Sequence, residues 1–347
     1  MEEKRIEWID WLKGFCMILI VLGHVIRGFI SAGMYEQIDL KYIDYTIYSF
    51  HMPLMFFISG FLYSITREEK LKDWKDFILD KIVKLYIPYL IFAYILFIFK
   101  TIFDSSINSE TNMNNFITIP FMPFDIYWFL MALLLIFIVY SFMDYKKINN
   151  KLITSIGFIS LIISFYIPSN YYIKLIFKYI GLGFYFYLGS YLTNKAISKK
   201  WIMPLLIGYI ILNVVNYYFD LQICVIEIAL ALSMILILVI YAQNYKHNSK
   251  LLNKIGKQSM IIYLLHTFFT SFTRIVLIKI NVTSFIIQLF LGVAMGICMP
   301  LLVYYLINKF KFLSWCKFAF YPKLNFIMKN NKAENEGKNK KEIVEFK

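Results

Sequence analysis

Apolar residues in this chain come in runs too long for strands and too uniform for the one-sided stripes of soluble helices. A spanning helix needs roughly 20 mainly apolar residues to cross about 30 Å of hydrocarbon. On that measure the pattern predicts ten spans, at residues 12–30, 45–65, 85–103, 126–143, 152–168, 174–193, 201–219, 222–242, 259–280 and 284–308. The fifth and sixth nearly touch. The first run follows Lys4, Arg5 and Lys13 as a signal peptide would, yet it is too long for an h-region and nine more spans follow. The reading is an all-α, polytopic membrane protein with one transmembrane domain at 1–310, followed by a juxtamembrane segment and disordered basic tail at 311–347. Residues 66–84 mix charges with Trp74, Phe77, Ile78 and Ile82 at helical spacing, which predicts an amphipathic helix on the cytoplasmic surface.

Composition agrees: 60% hydrophobic residues and a mean hydropathy of +0.62 exceed what a soluble core uses. The net charge of +14 could point to nucleic acid, so its distribution decides. With the N-terminus in the cytoplasm, 29 of the 36 Lys and Arg fall on the cytoplasmic side. The opposite loops hold only Lys41, while Glu36, Asp39, Asp104, Glu110, Asp125 and Asp220 collect there. The positive-inside rule thus places both termini in the cytoplasm and explains the basicity without nucleic acid. Cys16, Cys224, Cys298 and Cys316 lie in spans or in the tail and form no disulfide framework or metal spacing.

Ionisable groups inside hydrocarbon cost several kcal/mol, so each asks for a reason. His24, His51 and His266 all fall within predicted spans, the first two at matched depth in the outer half. Any one could be a buried histidine bonding a backbone carbonyl; three together favour a polar site. In the first span Asp10 and Lys13 are three residues apart and can pair. Lys13 and His24 are eleven apart, so they return to one helix face about 16 Å from each other, and Arg27 extends the stripe. A cation at the inner boundary could hold a phosphate-bearing donor while the imidazole works within the membrane, although Lys13 taken alone reads better as snorkelling to cytoplasmic phosphates. Pro53 predicts a kink beside His51, and Ser59-Gly60 permits close helix approach. Trp128, His266, Arg274 and the intramembrane acid Glu227 are further candidates for a channel or acceptor site.

Five segments in order carry a resemblance: W-I-D-W-L-K-G-F-x5-V-L-G-H at 8–24, S-F-H-M-P-L-M-F-F-I-S-G at 49–60, K-x-x-K-L-Y-I-P-Y at 81–89, Y-W-F-L-M-A-L-L from Tyr127, and I-G-K-Q-S-M-I-I-Y-L-L-H at 255–266. The chain resembles the acyltransferase-3 family of integral-membrane acyltransferases, most of all its fucose 4-O-acetylase-like branch. The resemblance implies transfer of an acetyl or other acyl group from cytoplasmic acyl-CoA to a hydroxyl of a cell-surface glycan or its lipid-linked precursor, in a bacterial inner membrane. It implies acetyl-CoA as co-substrate, with no bound cofactor and no metal. The family's Arg/Lys-x10-His element maps onto Lys13 and His24 with Asp10 as the preceding acid, and its basic pair maps onto Lys81 and Lys84. Many relatives carry arginines at that pair, and lysine lacks the bidentate fork for phosphate. In that reading His24 is the general base, or carries the acyl group itself. A transporter or flippase of a lipid-linked glycan or small anion, using the histidines as a proton relay, is the competing class.

Overall fold

The computed structural model describes residues 6–71, 73–102, 113–168, 172–193, 197–221, 223–244 and 249–322. Among these residues there are helices and no strands, and eight helices are long and apolar enough to cross a membrane. The protein is an all-α polytopic membrane protein.

The helices are α1 (Glu7–Ser31), α2 (Leu40–Tyr48), α3 (His51–Lys70), α4 (Trp74–Lys81), α5 (Ile87–Ile102), α6 (Met113–Thr118), α7 (Trp128–Tyr145), α8 (Asn150–Tyr166), α9 (Tyr172–Tyr191), α10 (Ile202–Tyr218), α11 (Cys224–Asn244), α12 (Lys250–Lys257), α13 (Ser259–Lys279), α14 (Phe285–Lys309) and α15 (Lys317–Phe320). Each of the ten predicted spans overlaps one of the longer helices, and eight of these are long and apolar enough to cross. The fifth and sixth differ in character from the rest. α8 has 17 residues, about 25 Å of rise against the roughly 30 Å of hydrocarbon. α9 is long enough but carries Lys174 and Lys178 and a run of Gly and Tyr in place of aliphatic residues. It needs little lipid-facing surface, because it packs between α3, α7 and α8 and buries Tyr179, Tyr185, Phe186 and Tyr187.

α1 is the hub, touching α2, α3, α11, α12, α13 and α14. That position accounts for its burial: Leu12, Cys16, Met17 and Val21 have no exposed surface. α3 and α9 approach closely enough that a Cβ on Gly60 would collide with the Phe186 carbonyl, which meets the expectation for Ser59-Gly60 in physical terms.

Two local expectations are corrected. Pro53 does not kink a continuous helix: the second span is already broken at Ser49 and Phe50, where Phe50 has φ −137°, and Pro53 lies in the first turn of α3. There its missing N–H costs nothing, since first-turn N–H groups have no intrahelical partner. The segment at 66–84 is not one surface helix. Its start completes α3, Lys72 lies outside the described residues, and α4 runs through a π-helical turn (Ile82–Tyr86) into α5. The apolar side of α4 packs on protein: Phe77 and Ile78 are buried, and Trp74 Nε1 donates to Ser141 on α7 at 2.9 Å. Beyond α14, Phe320 packs 4.9 Å from Phe92 and Tyr321 bonds Gln258, so the chain folds back on the bundle after Lys311; the tail from 323 onward lies outside the described residues.

Candidate active site

The site is organised along one face of α1. At its start Lys13 pairs with Asp10 at 3.6 Å, and α12 lies so close that Gly256 admits no Cβ beside the Asp10 carbonyl. Moving along the same face by helical steps, Met17 and Ile20 follow, 0% and 2% exposed, and then His24. The Lys13-to-His24 stripe therefore exists as expected, but a packed apolar layer fills the space between its two polar ends. Cys16 ties this layer to the next helix by donating its thiol hydrogen to the His51 carbonyl at 3.2 Å.

The three histidines come together. The His24 and His266 rings lie 5.1 Å apart. His51 sits 4.3 Å edge-on to Tyr48, whose ring in turn meets His24 at 6.4 Å. Nδ1 of His51 donates to the Ile47 carbonyl at 2.8 Å, and Nδ1 of His266 donates to the carbonyls of Tyr263 (2.8 Å) and Ile262 (3.0 Å). A donor at Nδ1 leaves Nε2 of the neutral ring with its lone pair. Nε2 of His266 is buried and takes no hydrogen bond among the described residues. Two tyrosines hold α13 against the turn before α7: Tyr127 donates to the Leu264 carbonyl at 2.7 Å, and Tyr263 to the Ile126 carbonyl.

His24 borders a cavity of about 260 Å³ at the end of the bundle opposite the lysine-rich loops. Arg27, Lys100, Asp125, Arg274 and Gln288 also line it, whereas Lys13 does not. Each cation there is engaged. Arg27 pairs with Asp44 at 2.8 Å and lies 3.1 Å over the Tyr48 ring, Lys100 pairs with Asp125, and Arg274 donates to the Gly28 carbonyl. Such engagement satisfies charges that lipid would otherwise leave costly.

Trp128 and Glu227 do not reach this cavity. They line a second one of about 710 Å³, which also contains Ser49, Pro53, Lys174 and Lys178. Glu227 accepts from Asn216 Nδ2 at 2.7 Å and from the Tyr45 hydroxyl at 3.1 Å. Trp128 stacks on Tyr179. Lys81 lies over the rings of Phe77 and Phe137, and Lys84 pairs with Asp80 at 2.7 Å. Both belong to the α4 and π-helical segment, at the basic end of the bundle. Among the described residues no cluster of His, Cys, Asp and Glu could hold a metal ion.

Sequence reasoning missed Tyr48, Lys174, Lys178, Lys100 and Gln288. Tyr48 is the most consequential, because it forms the partition between the two cavities and touches both His24 and His51. Its spacing of three before His51 was a weak signal, lost among the tyrosines of residues 42–48.

A family model described as an acyltransferase domain matches residues 6–305. The chain therefore belongs to the acyltransferase-3 family and is a multi-pass membrane acyltransferase. No curated protein and no solved structure matches it.

Proposed function

We propose that this membrane acyltransferase is an O-acetyltransferase of a bacterial inner membrane, moving an acetyl group from cytoplasmic acetyl-CoA to a hydroxyl of a surface polysaccharide or lipid-linked sugar. The observation that carries the reading is the His24–His266 pair at the edge of the cavity, with the buried Nε2 lone pair of His266 beside it. His24 is the general base. It takes the proton of the acceptor hydroxyl as that oxygen attacks the thioester carbonyl; the C–O bond forms, the C–S bond breaks, and the proton passes to the departing CoA thiolate. His266 acts through His24, its lone pair stabilising the imidazolium formed midway. Lys13, held by Asp10, and the pair Lys81 and Lys84 bind CoA phosphates at the basic end. For the thioester to meet His24, the Met17 and Ile20 layer has to part around the pantetheine arm.

This reading also keeps the fucose 4-O-acetylase-like branch as the nearest kind of acceptor chemistry. The test is His24→Ala in isolated membranes with labelled acetyl-CoA. Loss of a general base lowers transfer by about 10²- to 10⁴-fold. Transfer at the ordinary rate would end the assignment. Purified protein that consumes no acyl-CoA in the presence of a glycan acceptor would return the question to transport.

A further inference from the structure

The second cavity contains a cation pair that the reaction chemistry above does not use. Lys174 and Lys178 are one helical turn apart at the start of α9, and both line the 710 Å³ space. Among the described residues neither makes an ion pair, unlike Arg27, Lys84 and Lys100. Lys178 is exposed within the cavity and lies 5.6 Å over the Trp128 ring. Like charges one turn apart repel, and the first helical turn adds partial positive charge beside Lys174, so an anion bound close by would be favoured. It also stands at the end of the bundle from which the positive-inside rule withdraws cations.

Glu227 lines the same cavity. Both of its hydrogen bonds among the described residues fall on Oε1, so Oε2 keeps acceptor capacity. A carboxylate there repels a phosphate and accepts hydroxyls. Trp128, half-buried and stacked on Tyr179, lines the same cavity and offers an aromatic ring for a sugar to lie against. Tyr48 closes the side toward His24.

Resting on the reading of the chain as a glycan O-acyltransferase, we infer that this second cavity is the acceptor site and that its acceptor is an acidic sugar, one bearing a phosphate or carboxylate. Lys174 and Lys178 hold the anion, Trp128 supports the ring, and Glu227 orients the hydroxyls. The anchored anion would set which hydroxyl projects past Tyr48 to the base.

The test is binding of glucose 1-phosphate, glucose and inorganic phosphate to the full chain in phosphatidylcholine nanodiscs. Glucose 1-phosphate is expected to bind about tenfold or more tightly than glucose, charge-assisted bonds being the stronger kind. K174Q/K178Q should lower its affinity to the level of glucose, K174R/K178R should restore it, and E227Q should weaken glucose more than glucose 1-phosphate, because it also removes a charge that repels the phosphate. Unchanged glucose 1-phosphate affinity in K174Q/K178Q overturns the inference. So does inorganic phosphate binding as tightly as the sugar phosphate, which would make this a bare anion site, or displacement of the probe by phosphatidylglycerol, which would make it a lipid headgroup site. His24→Ala separates the two levels: it should bind glucose 1-phosphate normally while losing transfer. If it still transfers acetyl, the catalytic reading fails with the sugar site untouched.

Discussion

At the Asp10–Lys13 end of α1 the helix contacts are glycine-tight, with the backbone of α12 against the Asp10 carbonyl. At the His24–Arg27 end the same helix faces a polar cavity whose charged groups are satisfied one by one: Arg27 by Asp44 of α2, Lys100 of α5 by Asp125, and Arg274 of α13 by the Gly28 carbonyl. The first arrangement suits a boundary that must stay sealed until a donor arrives. The second suits chemistry, because a reacting oxygen needs open volume and a ring nitrogen with a free lone pair. One helix serves both because the layer of Met17 and Ile20 insulates them.

The sharpest way to break that contrast is to unseal the tight end. Gly256→Val places a branched side chain where even a methyl meets the Asp10 carbonyl, so overpacking should cost about 1–3 kcal/mol. A lower melting temperature and reduced yield of monodisperse protein in detergent are the expected readouts. A melting curve like that of the parent chain would show that α1 and α12 are free to separate, and the sealed boundary would be wrong.

A smaller effect, confined to the donor, is expected from Lys13→Ala. With the cation gone the KM for acetyl-CoA should rise about tenfold, equivalent to about 1.4 kcal/mol, while Lys13→Arg keeps most of the affinity. Equal KM values for the alanine variant and the parent would take Lys13 out of donor binding and leave it a structural partner of Asp10.

The smallest change is expected at the partition. The Tyr48 hydroxyl is buried without a hydrogen-bond partner among the described residues, so Tyr48→Phe removes an unsatisfied group and leaves the ring contacts with His24, His51 and Arg27 in place. Stability should stay within about 0.5 kcal/mol and transfer within about twofold. A tenfold loss of transfer would assign that hydroxyl to the reaction, and the wall between the cavities would become part of the catalytic site.

Much of this molecule was legible in order along the chain. Spans follow from run length because hydrocarbon tolerates no unpaired backbone, and the Lys13, His24 and Arg27 stripe follows from helical periodicity alone. Legibility ended where a property depends on neighbours distant in sequence. α9 was the least distinct span because its surroundings are other helices, so its Gly and Tyr positions answer to α3 and α8 and not to lipid. The break at Ser49 and Phe50 was read as a kink at Pro53 because proline is visible in a sequence, whereas an unusual φ at Phe50 is not.

The amino-acid sequence by itself determined the class, the eight helices apolar and long enough to span, and the three histidines within them, since each depends on composition or on spacing within one helix. Tertiary structure alone decided that His24 meets His266, that Tyr48 stands between two cavities, and that Trp128 and Glu227 share a cavity with Lys174 and Lys178 apart from His24. The physical reason is that a spanning helix presents a full circle of side chains to interchangeable neighbours, and only packing between helices selects which face meets which.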